Sequence, residues 1–208
     1  MVKVKVCGIT NLADAQKALE FGADALGFNF YPLSPRCITP EAAGHIIQQL
    51  PETASKVAVF VNELKPRVHE VIVRGRLADG RHAYDCLQFH GEENEDYCRG
   101  WSMKVIKAFR LKKKQSLEGM ALFPADFYLL DSWSFGYGGS GTVFPWDWLE
   151  GINTERIILS GGLSVVNVVE AIRRVHPYGV DVCSGVEASP GVKDHVKLKE
   201  FIIAAKSA

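Results

Sequence analysis

No CxxC pair occurs in this 208-residue chain, and its five cysteines (Cys7, Cys37, Cys86, Cys98 and Cys183) are odd in number and widely spaced. That pattern argues against a disulfide framework or a structural zinc site and predicts reduced thiols. Charge of one sign is not in excess: 24 Lys and Arg balance 24 Asp and Glu, for a net charge of zero. A nucleic-acid binder or a membrane-surface protein would carry a basic surplus, so neither partner is expected. No apolar run approaches the roughly 20 residues of a membrane span. The first residues set two lysines among valines instead of the apolar stretch of a signal peptide, and a cytoplasmic location is expected. Low-complexity segments and interdomain linkers are missing too. With 47% hydrophobic residues the chain can bury a sizeable core, and residues 1–208 read as one domain.

Strand-like and helix-like patterns alternate from end to end. Residues 2–6 alternate Val and Lys, giving one apolar and one polar face, and lead to Cys7 and Gly8. Thr10 and Asn11 supply N-cap chemistry for a helix with Leu12, Ala15, Ala18 and Leu19 on one side. Further strands are predicted at 23–30, 56–61, 83–90, 103–109, 127–131, 156–159 and 180–183. Between them the pattern predicts a helix opened by Thr39 and Pro40, another over 66–73, a short acidic one over 92–99 and a weakly patterned one over 112–120. Ser164 is placed as the cap of a helix bearing Val165, Val168, Val169, Ile172 and Val175, and Leu198, Phe201, Ile202 and Ala205 mark a last helix. The Gly- and Arg-rich stretch 74–81 reads as an exposed connection at the far end. Eight such units in about 200 residues imply an α/β fold closed into a single (β/α)8 TIM barrel. A doubly wound open sheet would show a Gly-rich turn after its first strand, and Cys7-Gly8-Ile9-Thr10 lacks it.

In a barrel the strand-to-helix loops gather at one mouth, where active sites form. Cys7 is the thiol at the tip of the first strand, either a small buried hydrophobe or a reacting group. Asp131 ends the very apolar strand Phe127-Tyr128-Leu129-Leu130, where a carboxylate is costly unless it is paired or used; a loop anchor is the plainer reading. Glycines follow each of the last three strands: Gly138-Gly139-Ser140-Gly141, Ser160-Gly161-Gly162 and Cys183-Ser184-Gly185-Val186-Glu187. Successive glycine pairs let backbone N–H groups approach an anion such as phosphate. Ser184 and Glu187 have capping-box spacing, which predicts a short extra helix. Arg36, in a Pro-stiffened loop, is either solvated or a bidentate clamp for a carboxylate. His90 is expected to line the pocket, and Asp181 to point into the mouth while Cys183 points away.

Taken together, Val4-Lys5-Val6-Cys7-Gly8-Ile9-Thr10, Ser34-Pro35-Arg36, Gln88-Phe89-His90-Gly91, Leu130-Asp131, Gly138-Gly139-Ser140-Gly141, Ser160-Gly161-Gly162-Leu163 and 179–187 resemble the phosphoribosylanthranilate isomerase family of tryptophan biosynthesis. The resemblance covers the chain from first strand to last helix. It implies a cofactor-free, metal-free barrel that is a monomer or homodimer, with one small phosphorylated substrate as its partner. The implied reaction is the Amadori rearrangement of N-(5-phosphoribosyl)anthranilate to 1-(2-carboxyphenylamino)-1-deoxyribulose 5-phosphate. By the same resemblance Cys7 matches the general base, Asp131 the general acid, and Arg36 the residue that holds the anthranilate carboxylate. Gly141, Gly161, Gly162, Ser184 and Gly185 match the phosphate loops, with His90 and Asp181 beside the substrate. The chain departs from the family pattern at Thr142 and Val143, where Lys-Thr is common, at Pro145, where Asp is common, and at Cys183, where Ser is common.

The implied chemistry has Asp131, kept protonated by its apolar strand end, open the sugar ring to an iminium ion, after which Cys7 thiolate removes the acidified proton. An ordinary thiol near pKa ~8.5 is only a few per cent ionised at neutral pH, a cost of about 2 kcal/mol that general-base catalysis of roughly 10²–10⁴-fold outweighs. Two rivals stay open. A histidine-pathway isomerase performing the same rearrangement resembles a doubled half-barrel with aspartates at the first and fifth strand ends, where this chain has Cys7 and Phe109-Arg110. A non-catalytic phosphate-binding barrel would keep the glycines with no need of Cys7 and Asp131. The segment 132–148 interleaves Trp133, Phe135, Tyr137, Phe144, Trp146 and Trp148 with glycines, and is expected to close over the substrate as a lid, with Gly141 offering its N–H to phosphate.

Overall fold

A computed structural model describes residues 1–133 and 143–208. Eight parallel strands close into a barrel in sequence order: β1 (Lys3–Cys7), β2 (Ala25–Asn29), β3 (Ser55–Phe60), β4 (Cys86–Phe89), β5 (Lys104–Leu111), β6 (Phe127–Ser132), β7 (Ile157–Leu159) and β8 (Gly179–Val182). β1 completes the closure by pairing with β8, with Val6 opposite Val182. Around them lie α1 (Leu12–Glu20), α2 (Pro40–Ile47), α3 (Lys65–Arg74), α4 (Glu95–Cys98), α5 (Val168–Val175) and α6 (His195–Ser207). A small antiparallel ribbon of β9 (Glu187–Ser189) and β10 (Val192–Lys193) sits between β8 and α6. None of the described helices is long and apolar enough to cross a membrane.

Two apolar layers form because both faces of each strand are buried. Val4, Val6, Leu26, Phe28, Leu87, Phe89, Leu130, Ile157, Leu159 and Val180 face outward into the main core with Val68, Val71, Ile172, Leu198 and Phe201 of the helices. A smaller inner layer fills the barrel, with Cys7, Val57, Val59, Cys86, Ile106, Ala108, Leu129 and Ile158 in contact. Local signals place the helix starts. Asn11 Oδ1 accepts from the Asp14 N–H at 2.9 Å, and Thr39 Oγ1 from the Ala42 N–H at 3.2 Å, each satisfying a first-turn donor.

Several expectations are corrected. The polar face of β1 is not a solvent face: Lys5 is 4% exposed inside the barrel, held by an Asp181 countercharge 2.7 Å away. No α-helix spans 112–120. Two 3-10 turns, Lys114–Leu117 and Met120–Leu122, stand there, separated by Gly119 at φ 77°, because the segment has no apolar stripe to bury. Among the described residues a 3-10 turn, Trp146–Leu149, follows β6. Ser164 does not cap α5; its N–H is taken by Asn167 Oδ1 at 2.8 Å, and the helix starts at Val168. The Ser184 and Glu187 capping box does not form either. Ser184–Val186 is a single 3-10 turn without a side-chain cap, since the Glu187 carboxylate is engaged by stronger cationic donors.

Candidate active site

Parallel β/α units put every strand's C-terminal tip at one mouth, and there a cavity opens. Cys7, Arg36, His90, Asp131, Asp181, Gly161, Gly162, Ser184 and Gly185 all line it. Gly141, the lid expected over 132–148 and the glycines of 138–141 fall wholly or in their central part outside the described residues. One orientation is corrected: Cys183 does not point away from Asp181, and both line the cavity. Residues two apart along an extended chain share a face, and Cys183, just past the end of β8, turns to the same side as Asp181.

Cys7 lies between cations and a second thiol. The Cys183 thiol is its hydrogen-bond partner and holds Cys7 below the ordinary thiol range; burial works against this, and the Lys5 ammonium adds to it. Lys5 itself is held above the ordinary lysine range: burial opposes its charge, but Asp181 and Cys7 outweigh that. Ser160 Oγ donates to the other Asp181 oxygen at 3.1 Å, so this carboxylate is fully engaged. Lys193, from β10, sends its Nζ to the Cys7 carbonyl at 2.6 Å and to Glu187 at 3.0 Å. Gly27 makes room for the cluster, for a Cβ there would lie 2.9 Å from Cys7 Sγ and 3.0 Å from Lys5 Nζ.

Asp131 enters from β6, three strands from β1 around the barrel. Its Oδ2 is 3.0 Å from His90 Nε2, and His90 Nδ1 is 2.8 Å from Gln88 Nε2. Gly161 touches the same carboxylate: at φ 80° it adopts a left-handed backbone, and a Cβ there would fall 2.6 Å from Asp131 Oδ1. The N–H groups of Gly161 and Gly162 find no acceptor among the described residues, which leaves them able to serve an anion.

Arg36 is neither solvated nor wholly free. Its Nε and Nη2 grip Glu187 at 2.9 and 2.6 Å, and its Nη1 edge has no protein partner among the described residues. Glu187 is held down to about 2: burial would raise it, but Arg36 and Lys193 prevail. Ser34 Oγ fixes the loop, accepting from the Asn29 amide and the Arg36 N–H, each at 3.2 Å.

Sequence reasoning passed over Lys5, Gln88, Ser160 and Lys193. Lys5 carried a signal, since it shares a strand face with Cys7 at a separation of two. Lys193 carried none, because a two-residue ribbon strand places it.

A family model for N-(5'phosphoribosyl)anthranilate (PRA) isomerase matches residues 4–204. The chain belongs to this family. N-(5'-phosphoribosyl)anthranilate isomerase of Pelobacter propionicus is 50% identical over 208 residues, covering 99% of this chain and 96% of that one. The crystal structure of phosphoribosyl anthranilate isomerase from Thermotoga maritima superposes with a TM-score of 0.90 at 42% identity, over 100% of both chains. A second crystal structure of such an isomerase, in complex with reduced 1-(o-carboxyphenylamino)-1-deoxyribulose 5-phosphate, gives a TM-score of 0.87 at 40% identity, again over 100% of both.

Proposed function

We propose that residues 1–208 form one barrel domain in which Cys7 and Asp131 carry the isomerisation of N-(5'-phosphoribosyl)anthranilate, the family's step in tryptophan biosynthesis. The observation that carries this reading is the placement of a thiol held toward thiolate and a carboxylate in one cavity, between an arginine edge and two free glycine N–H groups. Asp131 protonates the ribose ring oxygen and opens the sugar to an iminium ion. The cation acidifies the adjacent carbon, and the Cys7 thiolate takes that proton to leave an enol-amine, which tautomerises to the ketose. For Asp131 to donate, His90 Nε2 accepts, its hydrogen sits on Nδ1, and the Gln88 amide turns its oxygen toward it.

The Arg36 Nη1 edge takes the anthranilate carboxylate, with Glu187 holding the fork in place. Phosphate sits on Gly161, Gly162, Ser184 and Gly185, at the ends of β7 and β8, where barrel phosphate sites recur. It positions the sugar without touching the reacting bonds. The chain acts as a monomer or a homodimer. Five free thiols accord with a cytoplasmic setting.

The test is turnover of freshly made phosphoribosylanthranilate, followed by loss of anthranilate-type fluorescence. Wild type should turn over, while Cys7→Ala and Asp131→Asn should lose nearly all activity yet still bind a product analogue. Wild-type-like rates in either variant would remove that residue from the mechanism.

A further inference from the structure

Cys183 transfers no proton in the acid–base reaction, yet it sits beside the residue that does. Barrel closure pairs Val6 with Val182 in parallel register, so Cys7, the last residue of β1, and Cys183, the residue just past β8, follow that pair side by side. Such strands lie about 4.7–4.9 Å apart, inside the Cα separation of roughly 4.4–6.8 Å that a disulfide spans. Both side chains line the same open cavity. Lys193 Nζ contacts the Cys7 carbonyl at 2.6 Å and Cys183 Sγ at 3.9 Å, holding both residues under one cation. The other cysteines lie elsewhere, with Cys37 in the second loop, Cys86 on β4 and Cys98 in α4.

We propose that Cys7 and Cys183 are a peroxide-reactive pair that closes into a disulfide across the barrel seam, switching the active site off and shielding Cys7 from irreversible oxidation. The two thiols differ in the way this chemistry needs. The charge is favoured on Cys7, beside the Lys5 ammonium, and the proton on Cys183, which makes Cys7 the attacking sulfur and Cys183 the resolving one. The oxidant is hydrogen peroxide. Cys7 thiolate attacks one peroxide oxygen, the O–O bond breaks, and the departing hydroxide takes a proton to become water, leaving Cys7 as a sulfenic acid. The sulfur of Cys183 then attacks the Cys7 sulfur. An S–S bond forms, the S–O bond breaks, and hydroxide leaves with the Cys183 proton as a second water. Two thiols and one peroxide give one disulfide and two waters, with two electrons passing from sulfur to oxygen. Without Cys183 the sulfenic acid has no neighbour to condense with and proceeds to the sulfinic state.

The experiment treats the full reduced chain with hydrogen peroxide and follows intact mass, peptide map and fluorescence-based turnover. Wild type should lose the mass of two hydrogens, yield a peptide pair linking Cys7 to Cys183, lose nearly all turnover and regain most of it with dithiothreitol. Cys183→Ser, scored against its own starting rate, should gain the mass of two oxygens at Cys7 and stay inactive after dithiothreitol. A wild-type map with Cys7 oxidised but unlinked, or linked to another cysteine, overturns the proposal. Equal, unrecoverable inactivation of wild type and Cys183→Ser also overturns it. Mass and map need no isomerase activity, so a chain that forms the bond but never turns over would refute the functional reading alone.

Discussion

Arg36 commits one edge of its guanidinium to Glu187 and keeps the other for the cavity. A planar fork can serve two carboxylates at once, and an ammonium cannot. Arg36→Met should therefore raise KM strongly, by the equivalent of about 1.5–3 kcal/mol for a charge-assisted contact, and Arg36→Lys should recover only part. Equal KM values for all three proteins would show that the substrate carboxylate is held elsewhere. At Cys7 the thiolate depends on a donor: the Cys183 S–H lowers its pKa, with burial opposing and Lys5 assisting. In the proposed mechanism activity needs the ionised form, so it should rise with pH through that lowered value. Cys183→Ala deletes the donor and should move the acidic limb of kcat/KM to higher pH. Cys183→Ser keeps an O–H donor and should move it less. An unmoved limb in the alanine variant would mean that the thiol pair does not set the charge on the base.

At the scale of elements, the end of the barrel opposite the mouth repeats one device. Asp24, Asp85 and Asp126 each precede a strand and accept the backbone N–H of Val4, Lys56 and Val105 on the strand before, each at 2.8 Å. The aspartate side chain continues the ladder where the strands have not yet begun, which fixes the register of three strand pairs. Asp126→Ala should cost about 1 kcal/mol, the net worth of one such hydrogen bond beside solvent. Loss of the devices at Asp85 and Asp126 together should be roughly additive because the sites are separate. Urea unfolding measures the loss, and KM should stay put because the mouth is at the other end. A shifted KM with unchanged stability would contradict this division. Near the mouth, Glu93 does comparable work. It accepts from the Asn62 and Gly91 N–H groups at 2.7 and 2.9 Å and from buried Lys107 at 2.9 Å, tying the loops after β3 and β4 to β5 and so fixing the backbone beside His90.

At the scale of the whole fold, three ion pairs are buried among the described residues, Lys5–Asp181, Lys107–Glu93 and Lys193–Glu187, with every side chain at most 5% exposed. Removing one partner from such a pair strands the other and costs about 3–5 kcal/mol. For Glu187 the contribution depends on pH with a definite sign. Its folded pKa, about 2, lies below the unfolded value of about 4.3. Above the unfolded value both states are ionised and the stabilisation is complete. As pH falls the unfolded chain takes up the proton first, and the contribution is lost on the way down to the folded value. Urea unfolding of wild type and Glu187→Gln should thus differ most near about pH 7 and less near about pH 3. A difference that stays constant over that range would show that the ion pair is not what Glu187 contributes.

The eight-fold alternation, the strand tips at Cys7 and Asp131, and the glycines after β7 and β8 were legible in the sequence because each is a local signal: a period of two or 3.6, a cap, a residue where a pattern stops. The weak pattern at 112–120 was legible as weakness, and it became two 3-10 turns. What the sequence by itself determined is thus the order of elements and the residues standing at one mouth. The tertiary structure decided which of them meet. Alternation marks two faces of a strand without saying which is wet, and only closure set Lys5, on the polar face of β1, 2.7 Å from Asp181, 176 positions away. The same closure put Cys183 beside Cys7, gave Glu187 to Arg36 and Lys193, and lined Gln88 behind His90 and Asp131. These contacts join strands and loops far apart in the chain, and spacing along a sequence carries no trace of a pairing that only barrel geometry enforces.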